Sequence, residues 1–177
     1  MIKGLHHNAY RCRDSEDTRA FYEDFLGLPL SCTLEIEETM TGRKTRTLHT
    51  FYEMGDGSYL AFFEAPDMPF DFKRQHDYDL HIALEVADKE LEPMMAKAKA
   101  RGIETRGVSN HGFIHSIYFR DPNGYVIELT AKRPHHAEAV DPTKNGARQK
   151  LDAWQESKPA ASSPSAAPET FGKQSVG

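Results

Sequence analysis

At 177 residues, with a net charge of −5, 38% hydrophobic and 28% charged residues, the chain has the make-up of a soluble domain, either with one core or with two small modules sharing one. It has no basic stripe to recruit nucleic acid or an anionic membrane, no apolar run long enough to span a bilayer, and no signal-peptide core expected in MIKGLHHNAY. Cys12 and Cys32 are the only cysteines; lacking metal-like or redox-like spacing, they fit a reducing, cytoplasmic setting.

In chain order, the pattern predicts a strand over GLHHNAYRCRD, a helix over SEDTRAFYEDFLG, and strands near LSCTLEIEE, KTRTLHTFYEM and YLAFFEA. It then repeats: a strand over LHIALEVAD, a helix over KELEPMMAKAKARG, and strands near ETRGVS, HSIYFRD and YVIELTA. Asp14 or Ser15 in the first unit and Asp88 in the second supply N-cap chemistry, and Gly27 and Gly102 supply helix stops. Phe21, Phe25 and Leu26 give the first helix an apolar stripe to lay on a sheet. The turn sequences Asp56-Gly57-Ser58 and Asp121-Pro122-Asn123-Gly124 each introduce the last strand of a unit.

The expectation is an α+β fold of two tandem βαβββ modules. The folded domain spans 1–133, with one module at about 3–66 and the other at about 78–132. From 134 to 177 the composition turns polar and Ser/Pro/Ala-rich, which reads as a flexible tail. Within it RQKLDAWQ, near 147–155, is expected to form a short helix that docks through Leu151 and Trp154. His135 and His136 belong to that tail, and His76 to the connection between modules.

Strand alternation sorts the polar residues. His7, Ala9 and Arg11 share one face, with His6 turned the other way. His81, Ala83 and Glu85 share a face of the equivalent strand, as do Val126, Glu128 and Thr130 of the last strand. The matching strand of the first unit groups Leu60, Phe62 and Glu64. A carboxylate at Glu128, in the middle of YVIELT, demands a partner, since a lone buried charge costs several kcal/mol. Two imidazoles from matched strands, His7 and His81, with Glu128 make a natural divalent-metal set that leaves positions open for substrate.

On HNAYRCRD…FYEDFLGLPL, HIALEVAD and FRDPNGYVIEL the chain resembles the vicinal oxygen chelate superfamily, which includes glyoxalase I, fosfomycin-resistance proteins and extradiol ring-cleaving dioxygenases. The resemblance covers about residues 3–132 and implies that the paired modules form a U-shaped metal-binding cleft, with His7, His81 and Glu128 as metal ligands. Within the superfamily, HGFIHSIYFRDPNGYVIE is similar to the extradiol dioxygenase signature. His111, Ile117, Tyr118, Asp121, Pro122, Gly124 and Glu128 fit its spacing, and Ser109 departs from it. That likeness implies an Fe(II) enzyme acting on a small catechol-like substrate, with Tyr118 and His111 beside the bound substrate.

His115, near a strand start, is the candidate for a second acid–base group. Phe62 and Tyr52 are expected as apolar walls, and Arg11 either holds a substrate carboxylate or pairs with an acid such as Glu85. The alternative is a glyoxalase I-like lyase on Ni(II) or Zn(II), with Glu64 as fourth ligand; Mn(II) is a further metal to consider. A second alternative is a ligand-sequestering resistance protein without chemistry. Paired modules of this kind build their cleft within a monomer or across a homodimer.

Overall fold

The computed structural model describes residues 1–71, 76, 78 and 80–158. The first module contains β1 (Tyr10–Arg11), α1 (Ser15–Arg19) running on into a π-helical turn (Ala20–Phe25), β2 (Leu30–Glu38), β3 (Lys44–Glu53) and β4 (Tyr59–Glu64). The second contains β5 (His81–Glu85), a short 3₁₀ turn (Asp88–Glu90) leading into α2 (Leu91–Ala100), β6 (Thr105–Asn110), β7 (Ile114–Arg120) and β8 (Val126–Lys132). Two four-stranded sheets result, ordered β1-β4-β3-β2 and β5-β8-β7-β6, each with one parallel pair at its first strand. The tandem βαβββ architecture is the one expected.

Local chemistry explains both helix starts. Asp14 is extended and its carboxylate accepts from the backbone N–H groups of Glu16 and Asp17, so the first helix is capped as expected. Asp88 behaves differently. It lies inside the 3₁₀ turn, makes no cap bond, and faces Arg133 Nη1 at 3.5 Å and His115 Nδ1 at 3.6 Å. Gly27 ends the first helix at φ +83°, a left-handed turn that side chains resist.

One apolar core joins the two modules. Phe21, Tyr22, Phe25, Tyr52 and Phe62 from the first pack in the same cluster as Leu91, Ala98, Ile117, Phe119 and Ile127 from the second. The ring of Phe25 meets that of Phe119 at 5.3 Å, and Tyr22 O–H donates to Asp121 Oδ2 at 3.0 Å. Asn123 Oδ1 accepts from Arg13 N, and Tyr125 O–H donates to Arg11 O. The helix-covered faces of the two sheets are thus turned toward each other, and their opposite faces are turned outward.

Beyond the modules, α3 spans His136–Ala139 and α4 spans Ala147–Ser157. The expected docking of this region is corrected. Leu151 is 47% and Trp154 64% exposed, so neither is buried against the body of the two modules. Residues 159–177 of the expected tail lie outside the described residues.

Candidate active site

On the outward face of the second sheet, register sets four side chains in a row. Arg106 of β6 pairs with Tyr118 of β7, Tyr118 with Glu128 of β8, and Glu128 with Ala83 of β5. His81 lies two residues from Ala83 on the same face of β5, one rung away. Its Nε2 is 3.2 Å from Glu128 Oε2. Two donors held by one divalent cation through bonds near 2.1 Å stand about 3 Å apart, so this pair has the spacing of adjacent metal ligands. Glu128 is only 5% exposed, and a carboxylate that deeply placed needs partners.

The other oxygen of that carboxylate is also engaged. Tyr118 O–H donates to Glu128 Oε1 at 3.2 Å, and His111 Nε2 lies 2.8 Å from the same phenol oxygen. A phenol carries one proton. If that proton points at Glu128, the His111 Nε2–H donates to Tyr118. Burial, and then the negative charge of Glu128, raises the Tyr118 pKa, which keeps the phenol protonated at neutral pH. A continuous chain, His111–Tyr118–Glu128–His81, therefore crosses the sheet. Over it opens a cavity of about 790 Å³, walled in part by Phe113 and Ile114, a size suited to a small organic ligand.

The structure brings His81, Glu128, Tyr118 and His111 together, and it places the other sequence-predicted residues elsewhere. His7 bridges to Tyr59 on the first sheet, with its ring 5.5 Å from Phe51 and 6.2 Å from His49, and its Nδ1 2.7 Å from His6 Nδ1. Among the described residues of one chain, no three His, Cys, Asp or Glu side chains gather as a metal-binding group, so His7 does not join His81 and Glu128 within the chain. His115 is on the opposite face of β7 from Tyr118, because strand neighbours alternate, and it faces Asp88. The expectation of His115 as an acid–base group in this cleft is corrected accordingly.

Glu64, Phe62 and Tyr52 are corrected by register. His7 bridges Tyr59 and Tyr10 pairs with Phe62, so Ala61, and neither Phe62 nor Glu64, stands where Glu128 stands in the second module. Phe62 packs on Tyr22 at 4.7 Å and Tyr52 stacks on it at 5.5 Å, both inside the helix-side core. Glu64 Oε2 accepts from Ser15 N at 2.7 Å, at the start of α1. Arg11 gives Nη2 to the carbonyls of Ala65 and Met68 and lies over Phe70, apart from the cleft.

Sequence reading missed two residues. Arg106 lines the cavity with its guanidinium carbon 4.5 Å above the Tyr118 ring, and only the β6–β7 register reveals this. His49 is 6% exposed, stacks on Phe63 at 3.7 Å, and shares the outward face of the first sheet with His7. Its alternation with Phe51 in RTLHTFYE was the available signal. Burial lowers the His49 pKa and favours its neutral ring.

The model of the Glyoxalase/Bleomycin resistance protein/Dioxygenase superfamily matches residues 4–129. The chain belongs to that superfamily. Over 152 residues it is 27% identical to the metallothiol transferase FosB of Shouchella clausii (strain KSM-K16), covering 80% of this chain and 92% of that protein. Over 133 residues it is 29% identical to the uncharacterized protein YwkD of Bacillus subtilis (strain 168), covering 73% and 97%. The fosfomycin resistance protein FosX of Listeria monocytogenes, crystallised with Mn(II) and sulfate, superposes with a TM-score of 0.58 at 23% identity, covering 77% of this chain and 98% of that one. At that identity, the likeness is one of fold. Among the described residues of this chain, the buried carboxylates, Asp121 and Glu128, both belong to the second module.

Proposed function

We propose that this superfamily member is a divalent-metal-dependent enzyme that cleaves a small catechol-like substrate in the extradiol manner. His81 and Glu128 would hold the metal, with His7 of a second copy of the chain as third ligand. The observation that carries the reading is the hydrogen-bonded chain His111–Tyr118–Glu128–His81, which couples an acid–base pair to two donors spaced as ligands. Outward placement of His7 on one sheet and of His81 and Glu128 on the other supports a site completed across a homodimer. Fe(II) is the metal this chemistry calls for; FosX carries Mn(II).

Bound metal would lower the pKa of the substrate hydroxyls and bring the diol and dioxygen to one centre. The protein's own groups do the remainder. In the reaction the Tyr118 O–H turns from Glu128 to a substrate oxygen, and the His111 Nε2–H, 2.8 Å behind it, resupplies the proton that Tyr118 gives up. Phe113 and Ile114 exclude water from one side of the ring. Overall, both atoms of dioxygen enter the substrate, and the ring opens between one hydroxylated carbon and its unhydroxylated neighbour.

Similarity to FosB across 92% of that protein favours a second reading, transfer of a thiol to a fosfomycin-type phosphonate at the same donors. The four-ligand isomerase reading loses support, since Glu64 is bonded to Ser15 N on the helix side.

Complementation tests the proposal. His7→Ala and Glu128→Ala variants should each fail to yellow an anaerobic Fe(II)–catechol mixture when oxygen is admitted. Mixed and re-annealed, they should recover about a quarter of wild-type turnover, because half the dimers would carry one intact site of two. No recovery on mixing would overturn the shared site. Absence of ring fission by the wild type, alongside thiol addition to fosfomycin, would favour the second reading.

A further inference from the structure

Building on that proposed site, we infer that Arg106 is a specificity-determining residue that selects substrates carrying an anionic substituent, a carboxylate or phosphonate, at the end of the molecule away from the two metal-binding oxygens. The row of side chains across the second sheet carries the inference. Glu128 and Arg106 lie on β8 and β6, with Tyr118 of β7 between them in register. Strands are spaced about 4.8 Å apart, which puts the two backbones roughly 10 Å from each other. A single aromatic ring with a diol at one edge and an acid at the other fits that span.

The chemistry of the lining agrees. Among the described residues that line the cavity, Arg106 is the one arginine or lysine and Glu128 the one carboxylate, with Tyr118 between them in register and Phe113 and Ile114 as apolar lining. The cavity is thus polarised, with a cation at one side and the donor pair at the other. The Arg106 guanidinium carbon stands over the Tyr118 ring, 4.5 Å from the ring centre. That cation–π contact holds the guanidinium beside the cavity, and a guanidinium fork suits bidentate recognition of a carboxylate or a phosphonate.

The neighbouring backbone is fixed as well. Gly107 has φ +123°, and a Cβ there would fall 2.8 Å from Ser116 O, so β6 lies hard against β7 beside Arg106. An exposed arginine on an edge strand can also serve merely to keep that edge solvated. Substrate discrimination separates the two roles, because an edge-protecting arginine would leave ligand preference unchanged.

The test uses full-length chain loaded anaerobically with Fe(II) and calorimetric titration with catechol, 3,4-dihydroxybenzoate and 3,4-dihydroxyphenylphosphonate. Wild type should bind at least one of the charged ligands about tenfold tighter than catechol. Arg106→Gln should erase that preference while leaving the catechol Kd within about threefold of wild type, and Arg106→Lys should restore part of it. The charged ligand that gains more identifies the natural anion. Equal affinity of wild type for all three ligands, or a preference that survives in Arg106→Gln, would overturn the inference and leave the proposed function standing. A wild type that binds none of the three would overturn both.

Discussion

Replacing Asp121 by alanine should loosen the joint between the two modules, and its cost can be worked from the contacts. Asp121 is 5% exposed. Its Oδ1 accepts from the N–H groups of Asn123 (2.9 Å) and Tyr125 (2.7 Å), and its Oδ2 from Tyr22 O–H (3.0 Å) and Asn123 Nδ2 (3.1 Å). Alanine would strand the Tyr22 hydroxyl, whose residue is fully buried, and would leave two turn N–H groups to find water. With about 1–3 kcal/mol for each buried donor left unmet, the loss should be roughly 3–5 kcal/mol. For a chain of this size that lowers Tm by on the order of 10 °C.

Asp121→Asn keeps one acceptor oxygen and should lose less. Burial raises the Asp121 pKa above its ordinary 3.8 despite these donors. A raised folded-state pKa contributes stability that is present below the unfolded value and lost as pH climbs through the folded one. The advantage of wild type over Asp121→Asn should therefore shrink as pH rises from 3.8 through the raised folded-state value. Urea unfolding followed by far-UV circular dichroism is the suitable assay, since the single tryptophan, Trp154, is on exposed α4 and would report poorly on the core. If Asp121→Ala cost less than about 1 kcal/mol, below the range for one unmet buried donor, the turn would not be a tie between the modules.

Two further outcomes follow from the site. Tyr118→Phe should cut turnover of the proposed substrate about 10²–10⁴-fold, the range for losing a positioned acid–base group, while metal content measured by atomic absorption stays unchanged. Glu64→Gln should leave metal content unaltered but cost about 1 kcal/mol in urea unfolding, because it weakens the charge-assisted bond to Ser15 N at the start of α1.

The second module was far more legible in sequence than the first. In YVIELT the alternation has a clear sign: Ile127 and Leu129 are apolar on one side, and Glu128 is acidic on the other. That contrast is enough to set Glu128 on the face opposite its apolar neighbours. In YLAFFEA both faces are apolar, so alternation alone cannot say which is the inner one. Matching Leu60–Phe62–Glu64 to Val126–Glu128–Thr130 slipped by one residue, and in a strand a slip of one exchanges the faces. Phe62 and Tyr52 thereby changed from cleft walls to core, and Glu64 from ligand candidate to a partner of α1. The Asp121-Pro122-Asn123-Gly124 turn was recognisable as a turn, but its tie to Tyr22 joins residues 99 positions apart.

By itself the sequence determined the elements and their repetition, because caps, glycine stops, turn residues and alternation are short-range signals written within a few residues of where they act. It also determined the chemistry on offer, with histidines on two matched strands and one acid between apolar neighbours. Tertiary structure decided which of these groups meet. Pairing of β6 with β7 brought Arg106 over Tyr118, and the helix-side core turned the two sheets' polar faces outward, parting His7 from His81 and Glu128 within a single chain. Such juxtapositions depend on strand register and module packing, which are settled by the fit of a whole core and leave no mark on any one stretch of sequence.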